Sequence, residues 1–341
     1  MVKVGVVGYG VIGQRLADGV ALQKDMELVG VADVAPTLAV RALKEKGMPY
    51  KLYNALAENQ KLFDEAEIPV SGSLEDLIQQ CDIILDSTSA GVGAKNKELY
   101  QRYGKKAIFQ GGEKNSVADV FFHGYANYEK GIGKQFLKLT SCNTTGLIRS
   151  VDCIDRKVGV EKVAITIIRR VADPGDYHRG LTNALQVDKA PSHQAVDLMT
   201  IMPHIDATGI LVHTPVTHGH IITVVAKTKK KISKENLLEF FSEHPRIRIV
   251  RLADGFLGNA SLFRYARDLG NPRGDMYEIA VWEEAVVNSG DDIMYAINIP
   301  QEAVVIPESM DAIRAAMEMQ TDRLEAVGLT NKYLGLGRWM K

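Results

Sequence analysis

The stretch "KVGVVGYGVIGQRLADGV" (3–20) constrains the fold more than any other part of the chain. A short Val-rich run, glycines at 8, 10 and 13, and then an amphipathic segment form the pattern of a strand turning tightly into a helix around a dinucleotide. Gly8 permits the turn, Gly10 lets the backbone approach a pyrophosphate, and Gly13 lets the helix lie close to the strand. Free N–H groups at the helix start suit the phosphate charge. The next apolar run, "ELVGVAD", ends at Asp33, twenty residues beyond Gly13. A carboxylate there accepts hydrogen bonds from the adenosine ribose and repels a 2′-phosphate, which favours NAD over NADP.

The alternation continues through "CDIILDST" and "KAIFQGG" to about Phe122, as expected of βαβ units on a parallel, doubly wound sheet. "STSAGVGAKN" (87–96) and "QGGEKN" (110–115) follow two of those strands, where such a sheet places its ligand. After Cys142 the character changes. Apolar and polar residues alternate over 162–173, 219–230 and 276–288, which predicts an α+β domain with an antiparallel sheet covered on one face. The segment 307–329 reads as one long C-terminal helix. A chain of 341 residues suits two domains. With a net charge of -1, it carries no electrostatic footprint for nucleic acid or an anionic membrane. The basic run "KTKKKISK" (227–234) reads as a solvated turn. No apolar run is long enough to span a bilayer, and the N-terminus lacks signal-peptide features. Three cysteines without a CxxC pair argue against disulfides and against a metal site. A soluble cytoplasmic protein is expected, with small molecules or copies of itself as partners.

Cys142 lies in "LKLTSCNTTG" (137–146), between a strand-like run and a helix opened by Asn/Thr capping residues. A thiol at a helix N-terminus is expected to have a lowered pKa, and the amides beside it can hold an oxyanion. Cys81 and Cys153 sit in apolar segments and read as packing residues. A nucleophilic cysteine needs a base. His218 and His220, in "THGHIITVV", are spaced i, i+2 at the start of a strand, so both are expected on one face. His193 in "APSHQ" and the arginines of "IIRRVADPGDYHRG" add donors suited to a phosphate or carboxylate.

These features resemble the archaeal-type phosphorylating glyceraldehyde-3-phosphate dehydrogenases. The resemblance rests on "GYGVIGQRLADGV", "SCNTTG" (141–146), "RRVADP" (169–174), "PSH" (191–193), the HxH at 218–220 and "VIPESMDAIRA" (305–315), in the family's order. It implies that Cys142 is the catalytic cysteine, that Ser141 and Asn143 contact substrate, and that His218 is the catalytic histidine, with His220 the alternative base. It also implies backbone contacts to the cofactor at Val11 and Ile12, with further contacts at Gly112, Arg170 and Gln301. His193 and Gln194 fall where the family usually has two histidines near the substrate phosphate, so Gln194 is a departure. Asp33 is another, since relatives commonly carry threonine and lysine there that suit NADP.

The implied reaction starts with thiolate addition to the aldehyde of glyceraldehyde 3-phosphate. Hydride then passes to the nicotinamide while a histidine removes the hydroxyl proton, and inorganic phosphate releases 1,3-bisphosphoglycerate from the thioester. The resemblance further implies a homotetramer. It also implies a discontinuous NAD(P)-binding domain, 1–141 plus 302–341, around a catalytic domain, 142–301. Two other readings stand beside it. One is aspartate-semialdehyde dehydrogenase, which would need a carboxylate-reading arginine. The other is a non-catalytic NAD-binding regulator with an unperturbed Cys142.

Overall fold

A computed structural model describes residues 1–170 and 184–337. The chain divides into two compact units, one of Met1–Thr140 with Ile306–Gly335 and the other of Ser141–Val305 with 336–337.

The first unit opens with β1 (Val2–Val7), α1 (Val11–Ala21), β2 (Met26–Asp33), α2 (Leu38–Glu45), β3 (Leu52–Asn54), α3 (Gln60–Glu65) and α4 (Leu74–Gln80). It continues with β4 (Ile83–Asp86), α5 (Val92–Arg102), β5 (Lys106–Phe109), β6 (Val120–Phe122) and β7 (Phe136–Leu139). All seven strands pair in parallel, in the order β3-β2-β1-β4-β5-β7-β6. Helical crossovers cover both faces of such a sheet, which is why β4 and the end of β1 are buried without alternation. The strand order reverses between β1 and β4, so the crevice beyond their carboxyl ends is where an open α/β sheet takes its ligand.

The second unit begins at α6 (Cys142–Val158) and β8 (Val160–Arg170), then β9 (Gln186–Val187), α7 (His193–Ile201), β10 (Asp206–Thr214), β11 (His220–Thr228) and α8 (Lys234–Glu243). It ends with β12 (Ile247–Val250), α9 (Asn259–Asp268), β13 (Ile279–Trp282), β14 (Val287–Ser289) and β15 (Asp292–Ile299). The sheet runs β12-β13-β15-β11-β8-β10-β9, with β14 paired to β15. It is mixed, not wholly antiparallel as expected, because β8 and β10, and likewise β12 and β13, run parallel. Ile165, Ile167, Leu211, Ile222, Val224, Tyr295 and Ile297 form a buried face. The opposite face carries Thr166, Ile168, Ile210, Val225 and Met294, which are half-buried or exposed.

Three expectations change in detail. Strand β8 is described to Arg170, and 171–173 of the expected strand lie outside the described residues. The segment 276–288 is not one strand, since a 3-10 turn at Glu283–Ala285 separates β13 from β14. The expected single C-terminal helix is two, α10 (Ile306–Ala316) and α11 (Arg323–Leu334), both in the first unit. Glu318 adopts φ 52°, and Asp322 caps a new N-terminus by accepting from Glu325 N. Arg314 ties these helices to the start of β2, with two bonds to Asp25 at 2.8 and 3.0 Å and one to Thr330 at 2.7 Å. No helix among the described residues is long and apolar enough to cross a membrane.

Candidate active site

In the first unit the glycine turn has the geometry the spacing demands. Gly8 sits at φ +87°, against the backbone of Ser87 at the end of β4, and a Cβ on Gly13 would lie 1.9 Å from the Gly8 carbonyl oxygen. A Cβ on Gly10 would meet nothing within 4 Å, so open space lies over the turn. Gly10 caps α1 with no side-chain acceptor and no acidic residue in the first turn, which leaves the amides of the Val11–Ile12 end for an anion. The residues present therefore fit a dinucleotide pyrophosphate.

Asp33 ends β2 beside this turn. Its Oδ2 accepts from Tyr9 N at 2.9 Å, and its Oδ1 accepts from Val34 N at 2.7 Å and Ala35 N at 3.4 Å. A carboxylate offers about four acceptor sites, so one on Oδ2 remains for a ribose hydroxyl. Burial raises its pKa, and the three backbone donors work against that rise. The loops after β4 and β5 are joined by Glu113, within the "QGGEKN" stretch. Its Oε1 accepts from Gly91 N at 2.8 Å and Gly93 N at 2.9 Å and so caps α5. Gly112 lies beside it on a cavity of 560 Å³ that Lys97, Lys114 and Ser116 also line.

In the second unit Cys142 is the first residue of α6. The cap is Ser141, not the Asn/Thr residues expected, with its Oγ accepting from Thr144 N. Thr144 in turn donates from Oγ1 to Asp197 Oδ2 at 3.1 Å, linking the start of α6 to α7. Gly146 brings α6 down onto the sheet: a Cβ there would lie 2.2 Å from Ile299 Cδ1 on β15. The result is that Cys142 Sγ lies 3.7 Å from Nε2 of His220.

The preference for His218 over His220 is not supported by this geometry. Strand β11 starts at His220, and Gly219 turns the chain with φ +63° and no room for a Cβ beside the Ile299 carbonyl, so strand alternation does not reach residue 218. His220 is buried. His218 is exposed, with Nδ1 3.1 Å from Thr217 Oγ1 and its ring edge-on to Phe263 at 4.6 Å.

The expected lowering of the Cys142 pKa is also reversed. Burial pushes the thiol up to about 11, while Arg169, the Asn143 amide and Arg170 pull it down. A helix terminus contributes roughly 0.3–1 kcal/mol, less than one pKa unit, and desolvation exceeds that. His220 moves well below its ordinary value through burial and the charges of Arg170 and Arg169, with Gln301 opposing slightly. Burial thus works against the charged form of both groups.

Arg170 is buried, with Nη1 donating to the Thr217 carbonyl at 2.6 Å and Nη2 paired to Glu302 at 2.8 Å. Arg169 beside it is half-buried and close enough to act on Cys142 and His220 alike. At the start of α7, His193 is exposed, whereas Gln194 is buried with no partner for its Oε1. The buried Asn143 Oδ1 and Ser192 Oγ likewise have no hydrogen-bond partner. Orphaned buried polar atoms cost about 1–3 kcal/mol each, so Asn143 next to the thiol, and Ser192 and Gln194 at the start of α7, are candidates to meet a polar ligand. No group of three or more metal-ligating side chains occurs among the described residues.

Residues 141–285 match the model of the glyceraldehyde 3-phosphate dehydrogenase C-terminal domain, and 2–112 match that of the dihydrodipicolinate reductase N-terminus. The glyceraldehyde-3-phosphate dehydrogenase of Sulfolobus acidocaldarius is 43% identical over 99% of this chain and 98% of its own. The chain belongs to the glyceraldehyde-3-phosphate dehydrogenase family. Family members from Methanothermobacter thermautotrophicus and Hyperthermus butylicus are 38% and 40% identical, each over 98% of the chain. Among solved structures, aspartate semialdehyde dehydrogenase II from Vibrio cholerae superposes with a TM-score of 0.64 at 15% identity, covering 94% of this chain and 98% of its own. That likeness shows the fold.

Proposed function

We propose that the protein oxidises D-glyceraldehyde 3-phosphate with inorganic phosphate and NAD(P)+ to 1,3-bisphosphoglycerate, a step of glycolysis and gluconeogenesis, in the cytoplasm. The observation that carries this reading is the Cys142–His220 contact at the N-terminus of α6, in a chain of this family. Cys142 is the nucleophile, and His220 is the histidine within reach of the sulfur and of the oxygen that aldehyde addition creates. The Asn143 amide faces the sulfur and favours its anion. Ser141 and the orphaned Asn143 and Gln194 oxygens suit the substrate's hydroxyl and polar edges. A neutral Gln194 leaves phosphate recognition to His193, Arg169 and the amides opening α7.

The Gly8–Gly13 turn, Val11, Ile12, Asp33 and Gly112 hold the cofactor, which supplies the hydride acceptor when bound. The remaining acceptor site on Asp33 supports NAD over NADP. Arg170 and Gln301, expected at the cofactor, lie near His220, where Arg170 disfavours the charged ring and Gln301 favours it. The apolar outer face of the second sheet supports self-association to a homotetramer. Turnover with glyceraldehyde 3-phosphate, dependent on inorganic phosphate, tests the reading. Activity on aspartate semialdehyde alone would replace it with the alternative.

A further inference from the structure

The glycine turn after β1 depends on one peptide plane, the bond from Gly8 to Tyr9. Both ladders of β1 end at Val7. Just beyond them the chain still follows the sheet, with Gly8 N donating to the Ala32 carbonyl at 2.9 Å and Ser87 N to the Val7 carbonyl at 2.9 Å. The turn at φ +87° then takes the Gly8 carbonyl out of the sheet, while Gln14 N of α1 bonds to the Gly10 carbonyl at 3.1 Å. A carbonyl left between ladder and helix needs a partner. Ser87 supplies it, its Oγ donating to Gly8 O at 2.7 Å and more weakly to Val7 O at 3.2 Å. On the other side of the same plane, Tyr9 N donates to Asp33 Oδ2 at 2.9 Å. One peptide is therefore held at its oxygen from the end of β4 and at its nitrogen from the end of β2. A Cβ on Gly13 would lie 1.9 Å from Gly8 O and 3.0 Å from Ser87 Oγ, so the start of α1 rests directly on this junction. Ser87 is fixed in turn by its neighbours. The buried Asp86 carboxylate accepts from Thr88 N at 3.0 Å, Asn96 Nδ2 at 2.9 Å and Tyr100 Oη at 2.6 Å, which anchors the chain on both sides of residue 87.

We infer that Ser87 is a positioning residue for the cofactor: its hydroxyl, together with the Asp33 carboxylate, clamps the Gly8–Tyr9 peptide and so aims the free amides of α1 at the pyrophosphate and the spare lone pair of Asp33 at the ribose. For what the turn binds, the inference rests on the functional reading above. Alanine at 87 leaves the Gly8 carbonyl without its donor, and a peptide held at one end only turns to meet water. Turned, it carries the Tyr9 N–H away from Asp33 Oδ2, and both cofactor contacts loosen together. Affinity falls with the fraction of molecules in which the turn is set. Ser87 acts through Gly8 and not on the reacting atoms.

Two measurements on the full-length protein test this. The Kd of NADH, read by fluorescence titration, should rise about tenfold in S87A, with KM for NAD+ rising alike and KM for glyceraldehyde 3-phosphate unmoved. A Kd within about twofold of wild type overturns the proposal whatever happens to the urea midpoint, because a purely structural serine costs stability and leaves the affinity of the folded protein alone. S87T keeps the hydroxyl and should bind NADH within about threefold of wild type, and a loss as deep as that of S87A overturns the proposal. Hydrogen exchange of the ligand-free protein reads the clamp without the cofactor. The Tyr9 amide should exchange about tenfold faster or more in S87A, with the second unit unchanged. Unchanged exchange at Tyr9 overturns the proposal. A wild-type protein that binds neither NADH nor NADPH would instead refute the functional reading, and exchange at Tyr9 would still decide the clamp.

Discussion

At the scale of single residues, the site is a thiol against an imidazole, with burial opposing the charged form of each. Only the thiolate is nucleophilic, and burial pushes the Cys142 thiol up to about 11. Iodoacetamide labelling of Cys142 in the ligand-free protein should therefore rise about tenfold per pH unit from pH 7 to 10, where a free thiol levels off near 8.5–9. A plateau at neutral pH would show an ion pair. His220 carries the opposite sign of linkage. The unfolded chain binds a proton near pH 6.5 that the folded chain refuses, so this contribution to stability is complete above that pH and lost as pH falls below it. At pH 5.5 wild type should lose about 1.4 kcal/mol relative to H220Q, measured as a difference in urea midpoints between pH 7.5 and 5.5. His218→Ala should retain most activity. That Cys142 opens a helix after a strand was legible from its neighbours in sequence. Its partner was not, because the choice between two histidines depends on the φ +63° turn at Gly219 and on where β11 begins.

At the scale of elements, the contact depends on how closely α6 lies on the sheet. A methyl group at Gly146 would lie 2.2 Å from Ile299 Cδ1 and 3.0 Å from Ile279 Cγ2. Gly146→Ala should therefore cost about 1–3 kcal/mol in chemical denaturation and lower kcat by lifting Cys142 from His220. The glycine turn after β1, Asp33 and the helix after Cys142 were all legible, because each has a local signature. The break between α10 and α11 carries one as well, Asp322 with Glu325 three residues on, but the helical spacing of apolar residues runs past it. The second sheet was misread as antiparallel because alternation reports which face is buried and says nothing of strand direction. The β8–β10 pairing depends on a crossover through α7.

At the scale of the whole molecule, the outer face of the second sheet presents exposed apolar side chains. Ile168, Ile210 and Met294 are each more than a third exposed on it. If the proposed self-association uses this face, a charge on β10, Ile210→Glu, should dissociate it in analytical ultracentrifugation and leave the fold intact by circular dichroism. An unchanged sedimentation coefficient would place the contact elsewhere. Under the proposed function, Cys142 carries the substrate as a thioester. Mass spectrometry of the protein mixed with glyceraldehyde 3-phosphate and NAD+ in the absence of phosphate tests it most directly. A 3-phosphoglyceroyl adduct is expected on the Cys142 peptide, discharged by inorganic phosphate and absent from Cys142→Ser. Turnover by Cys142→Ser at the wild-type rate, or an adduct on another residue, would contradict it.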